Sequence, residues 1–242
     1  MHGLILAGGE GSRLAAAGIM TPKALVPVGG TPQLVRVVRT FARLGCESVT
    51  CLLREGVPPA VVEAEARALA VPCRVVRCRT PSSLHTLVAG LAELPRGPVF
   101  CSMVDSVMPW SDWQRAYAGA AAALAGGADA VLVVTPHVDD ERPLHVRRGP
   151  DGAAVAIGDA PATPPCVTGG VYAFADGARA VAAETLAAGR ERMRTFLGEL
   201  VRRGARVQTV EVPRVIDLDD LADLAAANAW QESCEDTGDI QP

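Results

Sequence analysis

The chain opens MHGLILAGGEGSRLAAAGIMTPKALVPVGGTP, residues 1–32. GLILAG, residues 3–8, reads as a short buried strand, an apolar run closed by a glycine turn. It leads straight into Gly8, Gly9 and Gly11, then Ser12 and Arg13. Glycines in such a turn let the backbone come close to a ligand and aim its amides at it. A helix start just beyond adds positive dipole. Lys23 follows ten residues after Arg13 and is the only lysine in the chain. Strand, glycine turn and two full positive charges together describe a polyphosphate cradle.

Outward from this stretch the pattern alternates between strand and helix. QLVRVVRTFARLG has apolar residues at helical spacing and ends on Gly45, a C-cap. SVTCLLR is a strand, PAVVEAEARALA a helix and CRVVRCR a strand. Ser82 or Ser83 caps a helix through SLHTLVAGLAEL, and PVFCSMVD is a strand ending in Asp105. A helix follows with Ser111 as N-cap, then the strand ADAVLVVTP. LHVRRGPDGAAVAIGD reads as a hairpin about an Asp-Gly turn, and TGGVYAF as a further strand. Two helices, the strand RVQTVEVP, the extended VID and a closing helix capped by Asp219 complete the order. Such alternation predicts an α/β fold, Rossmann-like, with three α/β/α layers about a mixed, mostly parallel central sheet. Residues 1–230 are expected to form a single domain, and 231–242 a polar, mobile C-terminal tail.

At 242 residues with 49% apolar side chains, the chain is long enough for one sizeable core. A net charge of −4 and the lack of a basic stripe argue against a nucleic-acid partner. The N-terminus lacks the charged leader of a signal, and no apolar run reaches the roughly 18 residues of a membrane span, so a cytoplasmic protein without a membrane partner is expected. The seven cysteines form no CxxC and sit mostly in strand-like runs, which reads as reduced core cysteine rather than zinc. The composition leaves a homo-oligomer open.

Two familiar cradles fail. A Walker loop needs a Gly-Lys-Ser/Thr end that is missing here, and a dinucleotide turn needs a third glycine where Leu14 stands. The pattern LxAGGxGxRL, followed about ten residues later by PK-L-P-V, fits: LILAGGEGSRL, then TPKALVPVGGTP. The chain thus resembles the NTP-transferase family of nucleoside-diphosphate-sugar synthases, the sugar-1-phosphate nucleotidylyltransferases, from Leu4 to about Trp230. The resemblance implies the nucleotide-diphospho-sugar transferase fold and transfer of NMP from an NTP to a phosphorylated acceptor, a sugar 1-phosphate, releasing pyrophosphate.

On that resemblance Arg13 and Lys23 are the catalytic residues. Leu6, Ala7, Gly8, Gly9, Gly11, Ser12 and Arg13 hold the nucleotide, with Ser82, Ser83, Leu84 and Thr86 near its base. Phosphoryl chemistry on an NTP calls for a hard cation on oxygen ligands. The resemblance places Mg²⁺ on Asp105, which closes an apolar strand, and on Asp217 of PRVIDLDDL. Asp219 and Asp220 read as helix capping and first-turn dipole complements. PPCVTGGVYAF resembles the family's acceptor segment, which assigns Thr168, Gly169 and Gly170 to the acceptor. Arg147 or Arg148 of the hairpin stands in for a lysine that relatives carry, and Trp110 lines the acceptor pocket. SSLHT, where sugar-specific relatives have a glycine-rich segment, admits a cytidylyltransferase for a non-sugar phosphate or phosphonate. A non-catalytic nucleotide-binding module is the third reading.

Overall fold

The computed structural model describes residues 1–9, 11–138 and 142–235, with side chains up to residue 230. β1 (His2–Ala7) runs through the centre of the sheet, with β4 (Val49–Arg54) and β6 (Val99–Met103) parallel to it on either side. β5 (Cys73–Cys78) adds in parallel beyond β4. The connecting helices are α2 (Gln33–Arg43), α3 (Pro59–Ala68) and α4 (Ser83–Glu93). This half is the parallel, doubly covered arrangement that the alternation predicts. Leu4, Ile5, Leu52 and Phe100 are completely buried because sheet strands covered on both faces must be apolar on both.

Past β6 the sheet turns mixed. β11 (Val167–Phe174) inserts antiparallel between β6 and β8 (Ala130–Thr135). β12 (Val207–Glu211) pairs in parallel with β8. β9 (His145–Arg148) and β10 (Ala154–Gly158) form the expected hairpin. Among the described residues this makes one nine-stranded sheet. α5 (Trp110–Ala125), α6 (Gly177–Ala187) and α7 (Met193–Arg202) cover this half. Two short ribbons stand apart: β2 (Pro27–Val28) with β3 (Thr31–Pro32), and β7 (Ser106–Val107) with β13 (Ile216–Asp217). α8 (Leu221–Glu235) packs beneath them, and a small apolar cluster of Leu14, Val26, Val107, Ile216 and Leu218 seals that end. The fold is the mixed, mostly parallel α/β architecture that the sequence predicts.

Local boundaries differ in three places. α5 starts two residues early because Pro109, not Ser111, caps it: the Pro109 carbonyl accepts from the amides of Asp112 and Trp113. β6 stops at Met103, so Asp105 stands in the turn beyond the strand rather than on its last residue. α8 continues to Glu235, and residues 236–242, the rest of the expected tail, lie outside the described residues. The six described cysteines are unbridged, and Cys46, Cys51, Cys101 and Cys166 are buried.

One charge cluster holds α7 in place. Glu199 is buried and paired with Arg190, Arg202 and Arg203, and the hydrogen bonds from Arg202 and Arg203 lower its pKa to about 2. A carboxylate depressed below its unfolded value stabilises the fold above the unfolded pKa and loses that contribution as pH falls through the folded one. Glu199→Gln is therefore expected to weaken the protein at pH 7, with wild type and variant converging as pH drops from about 4.5 towards 2. Urea unfolding at three pH values reads this directly.

Candidate functional site

The carboxyl ends of β1, β6 and β8 open on one side of the sheet, where ligands of open α/β sheets sit. A cavity of about 440 Å³ lies there. Its walls combine Arg13 after β1, Asp105 after β6, Thr135 at the end of β8, His137 beyond it, and Asp217 from β13. β11 runs the other way, so its first residues, Val167–Gly170, reach the same opening. Arg192, Met193 and Arg194 close it from the start of α7.

Behind the glycine turn, α1 (Ser12–Ala16) leads to a 3-10 turn at Lys23–Leu25. Lys23 is 8% exposed, and its Nζ lies 2.5 Å from Asp105 Oδ2 and 2.5 Å from Asp219 Oδ1. Arg13 Nη2 stands 3.0 Å from the other Asp219 oxygen. Asp105, Asp217 and Asp219 can each point an oxygen so that all three lie within 4.8 Å of one another. Burial alone would lower the Lys23 pKa, but the fields of Asp105, Asp217 and Asp219 and the hydrogen bond to Asp105 override it and raise the pKa. The lysine is thus a fixed cation set among three carboxylates. An ammonium carries three N–H donors, and two are spent on these carboxylates.

Short-range structure fixes the carboxylates. Asp217 pairs in register with Ser106, and the Leu218 amide donates to the Asp105 carbonyl at 3.1 Å. Asp220 caps α8 by accepting from the amides of Ala222 and Asp223, while Asp223 accepts from those of Asp219 and Asp220, a reciprocal capping box. This corrects the reading of Asp219: Asp220 alone does the capping, and Asp219 is released to Lys23 and Arg13. A DD doublet before a helix is ambiguous because capping and cation binding use the same side chain. The signal for Asp219 was its spacing of two from Asp217.

Gly11 is at φ +64, and a Cβ there would lie 2.9 Å from Lys23 Cβ. Gly11→Ala is therefore expected to cost about 1 kcal/mol or more in stability and to push Lys23 off its carboxylates. A lower Tm together with a kcat loss larger than that of an exposed alanine control would show it. Gly170, at φ +71, is under a similar constraint, since a Cβ would come 2.4 Å from Ser106 Oγ.

The remaining sequence-derived positions divide. Leu6 and Ala7 are buried at the end of β1, Gly8 is half-buried over Thr86, and Gly9 and Ser12 are exposed; none of these is among the cavity's walls. Ser82 caps α4 and donates to the Glu191 carbonyl, and Ser83 accepts from the Met193 amide while lining the cavity. The Thr86 hydroxyl is bonded to Thr80 and to the Ser82 carbonyl. Leu84 is wholly buried in the core, so its side chain is not available to a ligand. Thr168, Gly169 and Gly170 line the cavity. Trp110 and Arg147 are not among its walls. The Arg43 guanidinium stacks 4.2 Å over the Trp110 ring, which packs against the core. Arg147 is exposed on β9, because strand alternation turns it away from its neighbours Val146 and Arg148. Besides Arg13, the arginines among its walls are Arg142, Arg192 and Arg194. Arg194 is held by Asp159 and donates to the Arg142 carbonyl. A cue was present: RERMR puts three arginines at a helix start, where the dipole disfavours positive charge.

Comparisons with known proteins agree with this fold. Residues 3–204 match the model of the MobA-like NTP transferase domain. No curated protein gives a significant match. Among solved structures, a putative glucose-1-phosphate thymidylyltransferase from Bacillus anthracis, in complex with a sucrose, superposes with a TM-score of 0.80 at 19% identity, covering 95% of this chain and 94% of that one. The inositol-1-phosphate CTP transferase from T. maritima gives 0.77 at 19% identity over 92% and 90%. The nucleoside-diphosphate-sugar pyrophosphorylase from Vibrio cholerae RC9 gives 0.73 at 17% over 93% and 99%. At these identities the likeness is one of fold. No described helix is long and apolar enough to cross a membrane.

Proposed function

The chain belongs to the MobA-like NTP transferase family, and on that premise we propose that it transfers NMP from an NTP to a sugar 1-phosphate, releasing pyrophosphate and forming an NDP-sugar. The observation that carries this reading is the charged, buried Lys23 ringed by Asp105, Asp217 and Asp219, beside Arg13 and the glycine turn. An oxygen of the acceptor phosphate attacks the α-phosphorus in line. The bond to the β-phosphate breaks, and pyrophosphate leaves with its electron pair. The acceptor phosphate is already an anion at neutral pH, so no covalent enzyme intermediate is needed. The protein brings two polyanions together and stabilises the charge that builds at the α-phosphorus.

In this reading the amides of Gly9, Gly11 and Ser12, with Arg13, hold the β- and γ-phosphates. Lys23 offers its third N–H to the reacting phosphate. The three carboxylates suit a hard cation because they supply only oxygen donors that converge within 4.8 Å. Asp105 and Asp217 would hold Mg²⁺, with Asp219 beside them. When bound, the ion neutralises phosphate oxygens as charge shifts. Thr168, Gly170, Arg192 and Arg194 face the acceptor.

A second reading, CMP transfer to a non-sugar phosphate or phosphonate, is favoured by one observation. Among the structural neighbours is the inositol-1-phosphate CTP transferase from T. maritima, named for CTP and the phosphate of a non-sugar polyol.

Thermal stabilisation by ATP, CTP, GTP, UTP and dTTP with Mg²⁺ tests the donor site without knowledge of the acceptor. A ligand at 100 times its Kd adds about 2.7 kcal/mol. One NTP is expected to stand out, with its effect lost in Arg13→Ala. Stabilisation by none of the five would overturn the nucleotide reading.

A further inference from the structure

Two polar atoms beneath the carboxylate ring, Gln33 Oε1 and Ser106 Oγ, are buried without a hydrogen-bond partner. Gln33 is 2% exposed and stands at the first position of α2. Its backbone amide donates to the Val26 carbonyl at 3.1 Å, which ties it to the turn that carries Lys23. Its side-chain Nε2 donates to the Ser106 carbonyl at 3.2 Å, which ties it to the residue between Asp105 and Val107. Ser106 is also the register partner of Asp217. One residue thus bridges the lysine segment, through its backbone amide, and the mount of two carboxylates, through its side chain. An apolar side chain would fill this space without burying an amide oxygen that lacks a partner, a group that is costly to desolvate.

We infer that Gln33 is a positioning residue: by holding the Ser106 carbonyl, it sets the Ser106–Val107 peptide, and with it the mount of Asp105, so that the Asp105 carboxylate meets both Lys23 and the cation site. The inference rests on the metal reading above, and its test separates the two. Gln33→Met keeps the volume and removes the donor, and Gln33→Leu does the same with a different shape. Mn²⁺ binding to the nucleotide-free protein, followed by EPR, reads the site without turnover, and Asp105→Asn is the control for the metal reading.

Both Gln33 variants are expected to melt within a few degrees of wild type and to bind Mn²⁺ about tenfold more weakly. Their kcat is expected to fall about tenfold, with the KM for NTP within threefold of wild type. Gln33→Asn, with its donor one methylene short, is expected to fall between. Wild-type Mn²⁺ affinity and kcat in the Gln33 variants, with affinity lost in Asp105→Asn, would overturn the role of Gln33 and leave the metal site standing. Unchanged Mn²⁺ binding in Asp105→Asn itself would overturn the metal reading. Should the apolar variants fail to fold, an Asn variant with wild-type binding and kcat overturns the inference on its own.

Discussion

Lys23→Met is expected to lower kcat/KM by about 1,000-fold, the upper range for losing one preorganised charge-stabilising donor. Methionine fills the same buried path, so the loss would come from charge rather than from a cavity. The stability effect has a definite sign. Lys23 neutralises Asp105 and Asp219 at 2.5 Å each, with Asp217 close by. Without it three carboxylates face one another. Breaking a buried ion pair costs about 3–5 kcal/mol, and the low end applies here because Asp105 and Asp219 keep some contact with water. The variant should therefore melt several degrees lower in chelator than wild type, and Mg²⁺ should restore part of the difference by taking the place of the ammonium. Differential scanning fluorimetry with EDTA and with Mg²⁺, alongside steady-state kinetics, measures both effects. A variant within threefold of wild-type kcat/KM would remove Lys23 from the mechanism.

Asp105→Asn is expected to lower kcat by about 100-fold while leaving the KM of the acceptor within threefold. The amide keeps an oxygen that can accept from Lys23 Nζ, and the Leu218 amide still finds the backbone carbonyl of residue 105. Shape is preserved and one negative charge is lost, so the change isolates the anionic ligand. A kcat loss with little change in KM marks an interaction that is made mainly in the transition state. The Mg²⁺ concentration needed for half-maximal rate should rise in parallel. A wild-type rate with unchanged Mg²⁺ dependence would contradict the assignment.

Much of this arrangement was legible in the chain because it is local. The β1 strand, the glycine turn, Arg13, Lys23 and the two aspartates each end or follow an apolar run, and strand ends on one side of a parallel sheet converge. Asp219 was not legible: whether an aspartate caps a helix or faces a cation depends on which of two neighbours the helix start selects. Here Asp220 is selected by two amides. The arginine wall of the cavity was not legible for a different reason. Arg142, Arg192 and Arg194 come from two separate segments, and no local period connects them. Arg147 and Trp110 carried suitable chemistry, but strand alternation exposed one and a stacked guanidinium covers the other. The antiparallel insertion of β11 between β6 and β8 is likewise a long-range pairing that periodicity along the chain does not encode.

The most direct measurement follows label from donor to acceptor. Each of the five NTPs, labelled at the α-phosphate, is incubated with Mg²⁺, the protein and a set of phosphorylated acceptors: sugar 1-phosphates, inositol 1-phosphate and a pool of small-molecule phosphates from a cell extract. One donor is expected to pass its label into a new diphosphate-bridged product with one pyrophosphate released per transfer, and Lys23→Met should abolish the transfer. Stabilisation by an NTP with no label in any acceptor product and no pyrophosphate released would contradict the account and leave a nucleotide-binding module that performs no transfer.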